Sequence, residues 1–591
     1  MAVIGHEAMI EWQKDDRPFA GIVWGYLALI LGTNPLGWHV FALLTRWLSA
    51  IALWFLLREI WPRHLQAVAS ITLLFLLYPG IQQEPRAFIF GLFWLQFALI
   101  YMSYYVMIKT VSRSKYQFLL IVLGLTTVSP TWLMNEYFIG LEVLRPLVLW
   151  QIVSSQYGST IAKRSYIVFK HWIPYLSVLC IYLAWRLFFF ETTREEVNPL
   201  YYATKFALNP IPEILYRLEF VIPDIVQSTL LSWTNILSSD LLHIFSLSSW
   251  LSWMVGLTVA IASYFLLLDK SLGNFSIYRP SSNSDQRFHN ELIVAGLVAI
   301  LVGMVPIWLH GVFIGSTGLE TRYGLPAMTG ACCLLYGLLS KVVGNRKQIT
   351  IVLSLLLFFA AGSHIKVAND YRHEWLNQKQ LYWQLAWRIP SLAPGTVIWI
   401  HQEGWQTKRW QSPFDNIHYA APINLIYRQD DSPERLNYWA SLLEDNDDQF
   451  FTQIRDDYSY RWQDRNLEFS RLPKHNIVVT FFPPGCLKVL DKNSDQIPYS
   501  SKYIQDLAYF SNTDLISQSP SSPAPPFLSI FGPEPKHDWC YYYQKIDLAR
   551  QFQDWEKLDE LRERVSAKGF VPKDVTEWSI YKDSDETINV P

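Results

Sequence analysis

Long apolar stretches with few charges dominate the first 366 residues, and they limit how this chain can fold. These residues hold 25 Lys and Arg against 19 Asp and Glu, whereas residues 367–591 hold 24 against 32. A membrane-spanning helix needs about 20 mostly apolar residues, and soluble or disordered chains rarely supply several such stretches. The sequence therefore predicts a membrane protein with a soluble C-terminal part, and it excludes a nucleic-acid binder with a basic face.

Ten stretches are long and apolar enough to be membrane spans. They are 35–57, 63–79, 86–108, 116–134, 136–155, 170–190, 250–268, 291–310, 322–340 and 348–366. We predict each to be helical, because lipid offers the backbone no hydrogen-bond partner. The apolar stretch 19–32 is too short to cross and is predicted to be an interfacial helix. The fold class is thus an α-helical polytopic membrane bundle of about ten spans.

Lys and Arg concentrate in alternate connections between these spans. The connections rich in Lys and Arg lie near 58–63, 109–115, 163–170, 270–287 and 341–347. By the positive-inside rule they are cytoplasmic. The sequence therefore predicts a multi-pass protein of the plasma membrane whose N-terminus and C-terminal domain are both extracytoplasmic.

Beyond residue 366, short apolar runs alternate with helical stretches, which is typical of a small α/β domain. Strands are predicted at 396–400, 423–427, 477–482 and 487–490, and helices at 433–444 and 446–456. A helical hairpin at 541–552 and 554–568 is similar to one tetratricopeptide unit, with Asp554 as N-cap and Gly569 at its end. The predicted organisation is an outer loop and interfacial helix (1–34), the membrane domain (35–366), the α/β domain (367–516), a Ser/Pro-rich linker (517–537) and the hairpin tail (538–591).

Cys486 and Cys540 are the only two cysteines of the C-terminal part. In an oxidising compartment they could form a disulfide that closes a loop of about 55 residues and ties the hairpin to the sheet. The alternative is a pair of buried thiols.

Arg46, Glu142 and Arg145 are ionisable side chains inside predicted spans. An unpaired charge at such depth is costly, so partners are expected. Glu142 could pair with Arg46, or with Arg145 three residues later on the same helix. Two cations for one acid would leave a positive charge that could hold a lipid phosphate; a purely structural pair is the alternative.

Two short charged motifs lie where the chain is predicted to meet the outer membrane face. The first is Asp15-Asp16-Arg17-Pro18, directly before the interfacial helix, and the second is Glu320-Thr321-Arg322-Tyr323-Gly324-Leu325-Pro326. Their structural interpretation is a solvated helix cap and an interfacial anchor, respectively. Their functional interpretation is a set of acids and cations that work on a substrate at the membrane surface.

With these two motifs and Asn34-Pro35-Leu36-Gly37-Trp38-His39 between them, the chain resembles the GT-C superfamily of integral membrane glycosyltransferases. That group includes protein mannosyltransferases and lipid A aminoarabinose transferases, and the resemblance covers about 15–366. It implies transfer of a sugar from a polyprenyl-phosphate donor at the outer face, with inversion. It also implies a first transmembrane helix ahead of the catalytic loop, and we expect the given sequence to begin after that helix.

The resemblance implies a role for each charged group of the two motifs. Asp15 or Asp16 would be the general base, and Arg322, with Arg17 or Arg46, would stabilise the departing phosphate. The remaining candidates for substrate binding are Glu142, Arg145, Glu320 and Tyr323.

No cofactor is implied, although the Asp pair could ligate one divalent cation. The expected partners are a lipid-linked sugar donor and membrane lipids.

Two other classes of function remain open. One is a transporter or flippase of lipid-linked glycans, which would have inverted repeats and broken helices. The other is a non-catalytic assembly protein.

Overall fold

The computed structural model divides the chain into two compact units. The membrane unit contains Pro35–Tyr371 and the described part of Gln13–Trp24, and the C-terminal unit contains Gly25–Asn34 and the described residues from Arg372 onward. The structure describes residues 17–112, 114–156, 160–192, 198–234, 247–269, 282–316, 318–343, 345–401, 415–427, 436–443, 461–464, 467–492, 502–518, 525–574 and 576–578.

The chain up to the sheet domain is mostly helical. Its α-helices are α1 (Pro18–Leu31), α2 (Pro35–Ile60), α3 (Leu65–Leu76), α4 (Ala87–Ser112), α5 (Gln117–Met134), α6 (Arg145–Gln156), α7 (Ile161–Phe188), α8 (Pro199–Leu208), α9 (Pro210–Val226), α10 (Leu247–Leu268), α11 (Ser282–Leu309), α12 (Met328–Val343) and α13 (Arg346–Arg388). The predicted helix at 19–32 corresponds to α1, which ends where Gly32 adopts a positive φ of 62°.

Among the described residues, eight helical stretches are long and apolar enough to cross a membrane, as expected of a multi-pass membrane protein. The predicted spans 63–79 and 322–340 are not among them. Their helices, α3 and α12, have 12 and 16 residues. At 1.5 Å per residue these are about 18 and 24 Å long, short of a hydrocarbon core of about 30 Å. Helix length therefore does not support ten full spans.

Helices α2 and α4 run side by side in the same direction. The rings of Trp38 and Phe88 are tilted towards each other with centroids 4.7 Å apart, and those of Phe55 and Tyr105 are 5.9 Å apart. Because both contacts join residues fifty positions apart, the two helices start at the same end of the unit and stay in register. The short helix α3 connects them.

The shortness of α3 leaves residues 77–86, which we call loop A, beside the first turns of α4. Phe75, near the end of α3, contacts the rings of Phe97 and Tyr101 at 5.4 and 5.7 Å. Phe97 lies ten residues after Ala87, which is about 15 Å along α4 at 1.5 Å per residue. Loop A must therefore cover about this distance beside α4 to reach the start of that helix at Ala87. The sequence pattern does not predict this loop, because 65–78 contains no charged residue and fits one continuous span.

A second non-helical segment precedes the other short helix, α12. We call it loop B; it comprises residues 310–316 and 318–327 and contains a 3₁₀ turn at Leu319–Gly324. Loop B connects α11 and α12, and these two helices are in close contact. A Cβ atom on Gly296 or on Gly330 would lie 2.7 Å from the carbonyl oxygen of the other residue. Small residues permit this approach of two membrane helices.

The C-terminal unit is an α/β domain, as predicted. Its strands are β1 (Ser391–Leu392), β2 (Thr396–His401), β3 (Tyr438–Leu443), β4 (Arg461–Asp464), β5 (Leu467–Ser470), β6 (Asn476–Thr480), β7 (Lys488–Val489) and β8 (Ile516–Ser517). The main sheet has the order β3-β2-β6-β7, in which β2 is parallel to β3 and β6, and β7 is antiparallel to β6. The remaining helices are α14 (Asp415–Tyr427), α15 (Lys502–Ala508), α16 (Pro525–Phe531), α17 (Trp539–Gln551) and α18 (Trp555–Lys568).

Two secondary-structure predictions for this domain are wrong. The predicted strand 423–427 is the end of α14, and the predicted helix 433–444 contains strand β3. Both runs are short and buried, so hydrophobic periodicity alone could not separate helix from strand. Asn424 joins the two elements by donating hydrogen bonds to the carbonyls of Ala420 and Tyr438. The predicted helix 446–456 lies outside the described residues.

Part of the predicted linker 517–537 is built into the core of the domain. Phe527 and Phe531 of α16 are buried, and Phe531 stacks on Trp375 at 5.2 Å. The predicted helical hairpin is confirmed as α17 and α18. Asp554 caps α18 by accepting from the backbone N–H of Lys557, and Gly569 ends it with a φ of 66°.

A disulfide joins Cys486, next to β7, to Cys540 on α17, with Cα atoms 5.3 Å apart. A buried carboxylate stabilises the same place. Glu577 is fully buried and accepts hydrogen bonds from the backbone N–H of Cys486 at 2.7 Å and from Trp539 Nε1 at 2.6 Å. The hairpin is thus held to the sheet by one covalent bond and a set of hydrogen bonds.

Replacement of both Cys486 and Cys540 by Ser is expected to lower the free energy of unfolding of the C-terminal unit by about 4 kcal/mol, because the unfolded chain regains the freedom of the closed loop. Pulse proteolysis of the full-length protein in urea measures this, with Cys180→Ser as the control, since Cys180 is an exposed free thiol. An unchanged urea midpoint in the double variant would contradict the prediction.

Candidate functional site

Loops A and B contact each other within the membrane unit. The backbone N–H of Gln82 in loop A donates to Thr321 Oγ1 of loop B at 3.3 Å, and Gln82 Nε2 donates to the carbonyl of Ser316 at 3.2 Å. Thr321 is buried. Non-helical backbone at membrane depth occurs where it is buried in protein or lines a polar cavity. This contact between two irregular loops therefore marks the place where a site can form.

Asp224, near the end of α9, fixes the start of loop B. Its carboxylate accepts a hydrogen bond from Trp308 Nε1 at 2.7 Å and another from the backbone N–H of Ile314 at 2.9 Å. Burial raises the pKa of Asp224 above its ordinary value, although these two hydrogen bonds act to lower it. The π-helical turn that follows, Gln227–Leu231, accepts a hydrogen bond from Tyr78 of loop A at the carbonyl of Ser228. Both loops are thus anchored to one stretch of chain.

Two arginines and two tyrosines from three distant parts of the sequence meet beside loop B. The rings of Tyr137 and Tyr323 lie 5.8 Å apart. The guanidinium carbon of Arg17 lies 5.7 Å from the Tyr137 ring centre, and that of Arg322 lies 5.2 Å from the Tyr323 ring centre. Arg17 is near enough to Arg322 for their charges to repel. We call these four residues the arginine–tyrosine cluster.

The positive charge of Arg322 has few hydrogen-bond acceptors around it. Its Nη2 donates to the Tyr323 hydroxyl at 3.4 Å, whereas its buried Nε has no hydrogen-bond acceptor. In the described part of the chain, no carboxylate forms an ion pair with this guanidinium; the side chain of Glu320, two residues earlier, is exposed. A half-buried cation with an unsatisfied buried donor attracts an anion.

A second set of charged side chains lies where Arg46 of α2 contacts loop A. Arg46 Nη1 contacts Glu84 Oε2 at 2.5 Å, and the guanidinium lies over Trp94 of α4 at 4.9 Å. His364 of α13 contacts the same Glu84 oxygen through Nδ1 at 3.2 Å and the carbonyl of Leu77 through Nε2 at 3.3 Å. His364 therefore contacts loop A near both of its ends.

The structure pairs Arg46 with Glu84 and not with Glu142. Sequence reasoning missed Glu84 because it assigned this residue to a short connection between spans and looked for partners only inside spans. The sequence did contain one signal. Glu84 is the only charged residue of the connection 80–85, and it lies two residues before Arg86.

Glu142 pairs with Arg145, the other partner considered from the sequence. Arg145 Nη2 contacts Glu142 Oε1 at 3.0 Å, and its guanidinium lies between the rings of Tyr104 and Tyr175, 4.4 and 4.3 Å from their centres. Both charged side chains are buried. The surplus positive charge expected from two arginines and one glutamate does not occur, because Arg46 pairs with Glu84. The pair fits the structural alternative.

The acids of the first motif, Asp15 and Asp16, lie outside the described residues. Arg17 follows them directly and belongs to the arginine–tyrosine cluster. Of the sequence candidates, the structure therefore brings together Arg17, Arg322 and Tyr323, and it places Arg46 on the neighbouring loop A. In the described ranges no three His, Cys, Asp or Glu side chains are grouped as metal ligands would be.

No protein-family model matches this chain, and no curated protein matches it in sequence. Its structure is similar to the crystal structure of ArnT from Cupriavidus metallidurans in the apo state, with 13% sequence identity. The similarity covers 68% of this chain and 76% of that chain, with a TM-score of 0.25.

Proposed function

We propose that the protein is a membrane glycosyltransferase that moves a sugar from a polyprenyl-phosphate donor to an acceptor hydroxyl at the outer face of the plasma membrane. The observation that carries this proposal is Arg322, a guanidinium without a carboxylate partner among the described residues, with Arg17 beside it. Guanidinium groups bind phosphate oxygens through paired, charge-assisted hydrogen bonds. Two of them, each ahead of a different short apolar helix, suit the phosphate of a lipid.

The same cations would assist the chemical step. As the acceptor oxygen attacks the anomeric carbon, the bond from that carbon to the phosphate oxygen breaks, and the leaving phosphate gains negative charge. Arg322 and Arg17 would stabilise this charge from fixed positions. Attack from the opposite side of the sugar in one displacement inverts the anomeric centre.

The acceptor hydroxyl must lose its proton during this attack, which requires a base. Asp15 and Asp16 directly precede Arg17 in the sequence. Because Arg17 belongs to the arginine–tyrosine cluster, the short chain distance supports placing one of these carboxylates near the reacting hydroxyl. Such a base contributes roughly 10²–10⁴ to the rate.

The outer face is proposed from the distribution of charge along α2. Arg58 lies in the last turn of this helix, in a connection rich in Lys and Arg. Such connections stay in the cytoplasm. The opposite end of α2 would then lie outside. Because connections rich in Lys and Arg alternate with connections poor in them, loops A and B would also lie at the outer side.

One observation favours a second function, transport of a lipid-linked glycan. Loop A is non-helical beside the first turns of α4, and non-helical segments within a helical bundle occur at the substrate sites of transporters. A transporter would also use an anion site. The two functions differ in their products, so one preparation can decide between them.

The test uses the full-length protein in lipid nanodiscs and in proteoliposomes. We expect binding of polyprenyl phosphate at least about 10-fold stronger than binding of polyprenol, which lacks the phosphate. We also expect transfer of radiolabelled sugar from polyprenyl-phosphate sugars to membrane glycans or lipids. Movement of the labelled donor across the proteoliposome bilayer without any transfer would contradict the transferase and support the transporter.

A further inference from the structure

Glu84, Arg46 and Gln82, near the contact of loops A and B, carry buried polar atoms that have no hydrogen-bond partner. These atoms are Glu84 Oε1, Arg46 Nε and Nη2, and Gln82 Oε1. The Glu84 side chain is only 8% exposed. Buried polar atoms in proteins are nearly always hydrogen-bonded. Several unsatisfied atoms in one place indicate a region built for a polar ligand.

The chemistry of these atoms restricts the ligand. The oxygens of Glu84 and Gln82 can only accept hydrogen bonds, and the nitrogens of Arg46 can only donate them. A ligand that satisfies both kinds must donate and accept from neighbouring atoms, as hydroxyl groups do. The negative charge of Glu84 is already balanced by Arg46. The region therefore suits a neutral polyhydroxylated group better than an ion.

The position of this region connects it with the proposed phosphate site. Gln82 is hydrogen-bonded to Thr321, the residue directly before Arg322. A sugar is joined to its phosphate by one oxygen atom. A sugar whose phosphate is held by Arg322 is thus within reach of Gln82, and Glu84 follows two residues later on the same loop.

The geometry points to a sugar subsite: we infer that Glu84, Gln82 and Arg46 bind hydroxyl groups of the donor's sugar ring. This inference rests on the proposed function and extends it from the phosphate to the sugar. His364 acts as a positioning residue, because its contacts with Glu84 and with the carbonyl of Leu77 hold loop A. Glu84 Oε2 is thereby engaged, and Oε1 remains to accept from a hydroxyl.

The test compares binding of polyprenyl phosphate with binding of the same lipid carrying one neutral hexose or pentose, using a panel of such sugars. For at least one sugar, we expect the wild-type protein to bind the sugar-bearing lipid about 10-fold more tightly, as expected for about 1.4 kcal/mol of added contacts. The variants Glu84→Gln and Gln82→Ala should both reduce this ratio towards one. Gln82→Ala keeps the ion pair of Glu84 with Arg46 and should leave binding of the sugarless lipid nearly unchanged. The matched control is Glu291→Gln, whose carboxylate accepts from Trp61 and Gln151 and lies away from both loops.

The outcomes separate the subsite from the function. A sugar preference that persists in both variants would overturn the subsite, and so would a wild-type ratio of one despite tight binding of polyprenyl phosphate. In both cases the proposed phosphate site would stand. Failure of the wild type to bind either lipid would overturn the function and the subsite together. If Glu84→Gln unfolds, as shown by its thermal midpoint, the result with Gln82→Ala decides.

Discussion

Replacement of Arg322 by Gln is expected to lower the rate of sugar transfer by roughly 10²–10³, the cost typical of removing one group that stabilises developing negative charge. Gln keeps much of the side-chain volume and some capacity to donate hydrogen bonds, but it has no charge. Binding of polyprenyl phosphate should weaken as well, because Arg17 alone would remain to face the phosphate. Initial rates at saturating acceptor, together with lipid binding in nanodiscs, measure both effects.

Two further variants define the origin of this effect. Arg322→Lys keeps the charge but loses the planar fork that grips two phosphate oxygens, so we expect an intermediate rate. Lys205→Gln removes a positive charge from an exposed position on α8 and should have no effect. Full activity in Arg322→Gln would show that this guanidinium does not contact the donor, and the central residue assignment would then be wrong.

Simultaneous replacement of Asp15 and Asp16 by Asn is expected to reduce transfer by roughly 10²–10⁴, as for loss of a general base. Donor binding should be retained, since the proposed phosphate contacts come from Arg17 and Arg322. The single variants would show which carboxylate acts, because only one of them can lie at the acceptor hydroxyl. Transfer rate and lipid binding, measured on the same preparation, separate this effect from that of Arg322→Gln.

The control for the two acids is Glu219→Gln, which neutralises an exposed acid on α9. It should leave transfer and binding unchanged. If the double Asn variant transfers sugar at the normal rate, neither residue is the base. If it loses transfer and lipid binding to the same extent, the acids act on the structure of the site and not on the proton.

The membrane helices were predictable because long apolar runs leave a chain few alternatives. The predictions were less successful where a helix is short. The stretch 63–79 is apolar enough to be counted as a span, yet helix α3 ends at Leu76 and loop A begins there. This region contacts α4, the π-helical turn after α9, and α13, and no local sequence pattern contains these contacts. Predictions in the C-terminal domain failed for a related reason, since 423–427 and 438–443 are short buried runs that suit a helix or a strand equally well.

The candidate site was partly visible in the sequence. Charges placed at the ends of apolar runs identified Arg17 and Arg322, and the structure brings both to the arginine–tyrosine cluster. Tyr137 and Glu84 were missed, because a tyrosine in the first turn of a predicted span and an acid in a short connection look ordinary in one sequence. The partner of Arg46 could not be deduced, since that pairing depends on how far loop A extends beside α4.

Cysteine cross-linking between the first motif and loop B tests the central claim most directly. The experiment uses Asp16→Cys with Glu320→Cys in full-length protein whose free cysteines, Cys180, Cys332 and Cys333, are replaced by Ser or Ala. A short bifunctional thiol reagent is added to membranes, and a protease site in the connection 270–281 separates the two halves. We predict that the halves stay joined, whereas Asp16→Cys with Lys341→Cys gives separate fragments, because Lys341 lies in the last turn of α12, at the end away from loop B. Efficient cleavage into two fragments with the first pair would contradict a site shared by the N-terminal acids and Arg322.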